Sequence, residues 1–420
     1  MHTFAKKINK KLYYGWMMVF ISAISLFFSA PGQTYSISVF INVYRAEFGY
    51  STSLISFGYM IATIASGSLL VIMGKMVDKF GQRAMMVFVG IMLALTAFYN
   101  SYVMNIGMIF FGFFLLRYFG QGSMTLIPHS LVPQWFEKKR AFALSLETLG
   151  ALIAAMTVPA LNYWLINTIG WENAWRFWGV ALLVIFVPVA FFTVINRPED
   201  IGLSIDNNGK QNDVDSKLAL EKLEAESFTL ERALKTKEFW FIGLISIIVP
   251  MFSTGVTFHF FEMMSLRNVE GDQAAFIIGL IAFPSFFMPF VARVMIDRYP
   301  PKFIFLTTQS MIFLSMIFLS WFVTGFLSAI GFIIFYGTAV AIQVVTLNTI
   351  WPTYFGRKYL GSIRGAATVF MVLATAIGPF PMGLSYDLTG SFNPAIYGMM
   401  AMTIIAMFLT LSINKPEKQQ

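Results

Sequence analysis

The sequence predicts an all-α membrane protein with twelve transmembrane helices in two six-helix halves, and three observations carry that expectation. Hydrophobic residues make up 57% of the chain and charged ones 12%, with a mean hydropathy of +0.70, whereas soluble domains carry roughly 25% charged residues. The apolar residues gather into about twelve runs of a length that matches a hydrocarbon core of roughly 30 Å. All but four of the 29 Lys and Arg residues fall in alternate gaps between those runs. Closed barrels also span membranes, but their strands need only about 10 alternating residues. These runs are long and continuous, so helices are expected.

Spans are expected at 13–42, 52–73, 84–103, 106–132, 141–167, 174–196, 238–264, 273–296, 302–324, 326–350, 362–385 and 393–413. Span 1 follows Lys6, Lys7, Lys10 and Lys11, has no small-residue cleavage site after it, and reads as a retained helix. Pro31-Gly32 interrupts it. Spans 2, 4, 8 and 10 each end in a basic gap: Lys75, Lys79, Arg83; Lys138, Lys139, Arg140; Arg293, Arg298, Lys302; and Arg357, Lys358, Arg364. Arg45, Arg176 and Arg267 stand on the opposite side, and Arg117 falls inside span 4. The positive-inside rule then places both termini in the cytoplasm of a cell-membrane protein.

Residues 197–237 form one long polar connection and divide the spans six and six, giving an N-terminal bundle at 1–196 and a C-terminal bundle at 238–420. Leu218 and Leu223 within it suit either a surface helix or a solvated tether. The halves also repeat each other. Gly74 to Arg83 after span 2 matches Ile296-Asp297-Arg298-Tyr299-Pro300 after span 8, and Trp135-Phe136 after span 4 matches Tyr354-Phe355 after span 10. Parallel six-span repeats are a transporter architecture, with the solute site near the membrane midplane.

Several chemistries are excluded. No cysteine is present, which removes disulfides, thiolate metal sites and thiol catalysis. The net charge of +8 is scattered in short loops, which fits topology and not a nucleic-acid surface. No H-E-x-x-H, phosphate-binding loop or carboxylate pair appears, so no enzyme activity, metal or cofactor is expected. The expected partners are the lipid bilayer, a small-molecule solute and protons, handled by a monomer.

Gly74-Lys75-Met76-Val77-Asp78-Lys79-Phe80-Gly81-Gln82-Arg83 resembles the loop signature of the major facilitator superfamily. Within it, Tyr14-Gly15-Trp16, Pro31-Gly32-Gln33-Thr34, Arg117 to Gly122, Trp135-Phe136, Arg197 to Leu203 and Phe228-Thr229-Leu230 through Phe239-Trp240 resemble bacterial relatives of the monocarboxylate and oxalate/formate transporter group. The resemblance implies rocker-like alternating access. It also implies that Gly74, Asp78, Gly81, Arg83, Asp297 and Arg298 act in gating, each Asp facing the positive end of a helix of the other half in the outward-open state. Carboxylate-carrying members are expected to hold a cation in span 8, where this sequence has Pro289, and the oxalate-carrying ones also a Lys in span 11, where residues 365–385 contain neither Lys nor Arg. Both departures argue against a lactate-like or oxalate-like cargo. In span 5, Val158-Pro159 stands where the antiporter signature expects Gly-Pro.

Arg117 is the leading candidate for substrate binding, because a membrane-buried cation costs about 2.5 kcal/mol or more and normally faces a cavity or partner. Its other reading is a structural cation capping carbonyls. Gln121 lies one turn on, and Gln33 and Tyr35 follow the Pro-Gly interruption; each suits solute contact or an interhelical hydrogen bond. Tyr336 and Gln343 in span 10 are expected to face Arg117 by repeat symmetry. Glu147 is the expected proton carrier, with permanent pairing to Arg117 or a loop cation as its alternative. His259 and Glu262, three apart on span 7, suit a proton-linked outer gate or an interfacial hydrogen bond. His129 reads as a helix-end polar group. Together these predict a secondary carrier of a small organic anion, with an efflux carrier of amphipathic drugs or a secreted metabolite as the alternative and a non-transporting sensor as a third class.

Overall fold

The computed structural model describes residues 13–205, 228–356 and 359–413. The basic N-terminal residues, Leu218, Leu223, Arg357 and Lys358 lie outside them, as do the side chains of Pro289, Asp297 and Asn348. Among the described residues all regular elements are helical. Ten helices are long and apolar enough to cross a membrane, and they fall on expected spans 2, 3 and 5 to 12.

Expected spans 1 and 4 are helical but interrupted. Span 1 runs as Gly15–Phe28, a tight turn at Ala30–Gly32 and Thr34–Phe48. Pro31 has no N–H to give the preceding turn, so the helix tightens there and resumes. Span 4 runs as Ile106–Leu115, a widened π-turn at Leu116–Ser123 and Met124–Trp135. The two irregular stretches touch. A Cβ on Gly32 would run into the Leu116 carbonyl oxygen and lie 2.6 Å from the Gln121 nitrogen, and one on Gly120 would lie 2.7 Å from the Gly32 Cα. Only paired glycines allow backbones this close.

The chain divides into two compact units, residues 1–211 and 212–420. In the first, neighbouring ends of spans 1, 4 and 6 are tied by aromatic side chains. Tyr13 Oη donates to the Trp135 carbonyl at 3.0 Å, Tyr14 Oη to the Thr193 carbonyl at 2.7 Å, and Trp135 Nε1 to the Ile195 carbonyl at 3.1 Å. Tyr14 and Trp135 are motif residues, and each donor satisfies a carbonyl near a helix end that lacks its own partner. Deeper in, Asn162 of span 5 donates to Ser36 Oγ at 2.8 Å and accepts from Trp178 Nε1 at 2.7 Å, joining spans 1, 5 and 6. Lipid offers no competing hydrogen bonds, so such buried pairs hold helices together.

In the second unit, Phe228 N donates to the Phe355 carbonyl at 2.8 Å, and Thr229 and Thr236 cap the helices that lead into span 7. Phe239 packs on Trp351, Phe355 and Phe370, an aromatic cluster like that of the first unit. Both described ends of the long connection are therefore built into their own units, with Tyr13 Oη also donating to the Ser204 carbonyl. Span 7 breaks at Ile247 and at His259. Two crossings repeat between the units: a Cβ on Gly150 of span 5 would strike the Ala23 carbonyl of span 1, and one on Gly378 of span 11 the Met251 carbonyl of span 7.

Candidate functional site

Arg117 lies at the start of the π-turn with only 4% of its surface exposed. Its Nη1 donates to Thr34 Oγ1 at 3.4 Å, and its guanidinium carbon sits 5.0 Å from the Tyr59 ring centre. Thr34 and Tyr59 are themselves joined at 2.7 Å between hydroxyls. Nε has no acceptor, and no carboxylate pairs with Arg117 among the described residues. A guanidinium has five N–H donors, so this one holds a long hydrogen bond and an aromatic face with donor capacity in reserve. The sequence reading missed Thr34 and Tyr59. Thr34 was within the quoted motif, and its place one residue past the break was the available signal.

Gln33, at the same break, donates from Nε2 to Ser29 Oγ at 3.0 Å. Tyr35 and Gln121 are half-buried, and the Gln121 carboxamide makes no hydrogen bond among the described residues. Tyr336 is buried on span 10 and its hydroxyl lies 2.6 Å from Ser253 Oγ and 3.2 Å from Thr257 Oγ1 of span 7. Gln343 donates from Nε2 to the Ser246 carbonyl at 2.9 Å and leaves Oε1 without a partner.

Glu147 ends the helix Arg140–Glu147 and is fully buried. The side chain that touches it is neither Arg117 nor a loop cation, as the sequence reading had allowed, but His129: Nδ1 lies 2.9 Å from Oε1. His129 is thus more than a helix-end group. Neither carboxylate oxygen has an aligned hydrogen bond, so the contact is a close approach off the ring N–H direction.

His259 and Glu262 turn to different partners, because the helix breaks at His259. His259 Nε2 lies 2.9 Å from the Pro379 carbonyl oxygen, and Tyr386 Oη donates to Glu262 Oε1 at 2.7 Å. Nearby, Arg267 donates to the carbonyls of Met263 and Leu319 and to Asn393 Oδ1.

In the signature loop Gly74 makes no turn: span 2 stays helical from Thr52 to Phe80, and nothing lies within 4 Å of a Cβ there. The turn belongs to Gly81, at φ +81°, where a side chain would meet the Asn196 carboxamide. Asn196 Oδ1 accepts from Arg83 N at 2.8 Å, while Arg83 Nε donates to the Phe191 carbonyl at 3.0 Å. The loop is therefore clamped to the end of span 6, and Asn196 carried no sequence signal for it. Asp78 and Arg298 are exposed.

The model of the Major Facilitator Superfamily matches residues 16–379. The chain belongs to that superfamily. Among solved structures, the nucleoside transporter NupG superposes with a TM-score of 0.70 at 12% identity, covering 95% of this chain and 99% of that one. A D-xylose-proton symporter gives 0.68 at 16% identity, covering 95% and 98%. These likenesses show the fold. In sequence, the uncharacterized MFS-type transporter YhjX of Escherichia coli (strain K12) is 20% identical over 240 residues, 56% of this chain and 54% of that protein. Human monocarboxylate transporter 14 is 24% identical over 195 residues, 45% of this chain and 38% of its own length. The chain spans about half the length of these curated relatives, or less. As a superfamily member with many apolar helices it is a multi-pass membrane protein.

Proposed function

We propose that this facilitator carries a small organic anion across the cell membrane by alternating access, coupled to protons, as a monomer with both termini in the cytoplasm. One observation carries the reading: Arg117 is a membrane-buried cation with spare donors and no carboxylate partner among the described residues. An anionic solute supplies the missing charge and acceptors. Gln33, Tyr35, Gln121, Tyr336 and Gln343 are the proposed polar contacts, Glu147 the proton carrier, and His259 with Glu262 the outer gate. Asp78 and Asp297 are proposed to hold the outward-open state. The likeness to human monocarboxylate transporter 14 supports the anion. A thermal-shift screen of the purified carrier with carboxylates, amino acids, sugars and cationic drugs tests the reading, since a bound ligand raises apparent stability. Carboxylates should stabilise the native carrier and leave Arg117→Gln unmoved; an equal response of that variant removes Arg117 from the site.

A second reading, efflux of amphipathic compounds, is favoured by one feature of the first unit. An apolar cavity of about 460 Å³ lies between spans 1 and 5, lined by Trp16, Phe20, Phe27, Leu146, Leu149 and Ile153 among others. Dye accumulation in deletion and overexpression cells separates export from uptake.

A further inference from the structure

We infer that His129 is the water-facing proton donor and acceptor for Glu147, so that the two side chains form one proton-binding site shared by spans 4 and 5. The inference rests on the proton coupling proposed above and names the group through which the proton reaches its carrier.

The pair is asymmetric in a way that suits this task. The Glu147 side chain is 0% exposed and the His129 side chain 49% exposed, with 2.9 Å between Nδ1 and Oε1. A carboxylate sealed from water with no aligned hydrogen bond has one means of exchanging its proton, the group that touches it. His129 touches it on one side and is half exposed on the other. The helix ends at Glu147 and resumes at Leu149, and His129 follows Pro128 inside a helix that also contains Pro133. Both side chains thus sit beside irregular backbone, which gives them room to part and rejoin.

Charged and titratable groups also stand on the elements around the pair, and Glu137, Lys138 and Lys139 of the connecting turn are exposed. The inner helix of span 1, Gly15–Phe28, has no charged residue, and its neighbours Tyr13 and Tyr14 donate to the Trp135 and Thr193 carbonyls. Arg83 of span 3 is engaged with the Phe191 carbonyl, and Arg140 of span 5 with the Phe136 carbonyl at 3.2 Å. Lys75, Asp78 and Lys79 of span 2 are exposed at its inner end. The rest of span 5, Leu149–Ile169, offers only the Tyr163 hydroxyl. Among the described residues, His129 is the ion-pair partner of Glu147.

The transfer balances with water as the only co-reactant. Once the ring turns to aim Nδ1–H at Oε1, an imidazolium gives that proton to the carboxylate, leaving a neutral ring with Nε2–H and a neutral carboxyl group. The reverse step restores the ion pair, and the ring refills or empties through water. The site also stands in line with Arg117. A π-turn inserts one extra residue, so the twelve positions from Arg117 to His129 act as about eleven, roughly three turns, and bring both to one side of span 4. The second unit lacks the couple: aligned on the Gly150 and Gly378 crossings, the counterpart of Glu147 is Thr375, whose Oγ1 donates to its own helix at the Val372 carbonyl.

The test reads the pair without any transported solute, so it stands apart from the identity of the cargo. Infrared difference spectra of the full-length carrier in lipid nanodiscs, recorded as pH is stepped, should show one carboxyl band that is lost in Glu147→Gln. The ¹⁵N signal of His129, separable from His2 and His259 by variants, should titrate together with that band. In His129→Gln the carboxyl band should persist while its hydrogen–deuterium exchange slows about a hundredfold, the low end of what a positioned proton-transfer group contributes. Unaltered exchange in His129→Gln overturns the inference, as does a titration whose carboxyl bands are the same in the native protein and in Glu147→Gln. Should His129→Gln fail to assemble, His129→Asn gives the same reading. A normal infrared result with no pH-driven accumulation in proteoliposomes of any carboxylate that stabilises the carrier in the thermal-shift screen would count against the transport reading and leave the pair intact.

Discussion

Gln343 donates its carboxamide N–H to the carbonyl of Ser246 at 2.9 Å, and that carbonyl is orphaned because the residue four positions on is Pro250. Proline has no N–H, so span 7 breaks at Ile247 and span 10 supplies the missing donor. Gln343 therefore has a structural task on one atom and a free acceptor on the other, Oε1. Gln343→Met should lower the thermal midpoint in detergent by an amount equivalent to about 1–3 kcal/mol, the cost of a buried unsatisfied group. Pro250→Ala restores the backbone N–H, so the same substitution in that background should cost less. Additive losses in this double-mutant cycle would show that the two residues are not linked.

Thr34 and Tyr59 hold Arg117 from two sides, through a hydroxyl at 3.4 Å and a ring at 5.0 Å. Tyr59→Leu removes the ring, and a cation–π contact is worth about 0.5–2 kcal/mol. The carrier should still insert and fold, while its thermal response to the stabilising anion weakens. A response equal to that of the native protein would mean that the Tyr59 ring does not position the cation.

Much of this architecture was legible in the sequence because apolar length and basic gaps report directly on lipid. The breaks were legible only in part. Pro31-Gly32 announced the interruption of span 1, but the π-turn around Arg117 depends on how closely Gly32 and Gly120 pack, which no local pattern encodes. The Glu147 partner had a readable cue. In an antiparallel helix hairpin, residues equidistant from the turn lie side by side, and His129 and Glu147 each stand nine positions from Lys138. Asn196 had no such cue, since its contact with Arg83 joins spans 113 positions apart in the chain.

Asn162 ties three spans through Ser36 and Trp178. Asn162→Leu should leave the Trp178 indole N–H without its acceptor and lower stability by about 0.6–2 kcal/mol, the range for hydrogen bonds between membrane helices. Thermal unfolding followed by tryptophan fluorescence reads the loss. An unchanged midpoint would show that lipid-phase packing alone holds spans 1, 5 and 6.

Gly74 and Gly81 belong to one signature loop but meet opposite surroundings, so substitution separates their roles. Gly74 is helical with open space around its Cα, and alanine is a better helix former than glycine by about 1 kcal/mol. Gly74→Ala should leave stability equal or slightly raised and transport unimpaired. Gly81 has φ +81° and faces the Asn196 carboxamide, so Gly81→Ala must strain the backbone and displace the side chain that accepts from Arg83 N. Left-handed backbone at a non-glycine residue costs about 1–3 kcal/mol, and the clamp between the loop and span 6 should loosen with it. Distances between spin labels on the loop and at the end of span 6 should broaden in Gly81→Ala and stay sharp in Gly74→Ala. If both variants lose transport alike while those distances stay sharp, the glycines serve a contact beyond this loop, and the division of labour drawn from the helix at Gly74 is wrong.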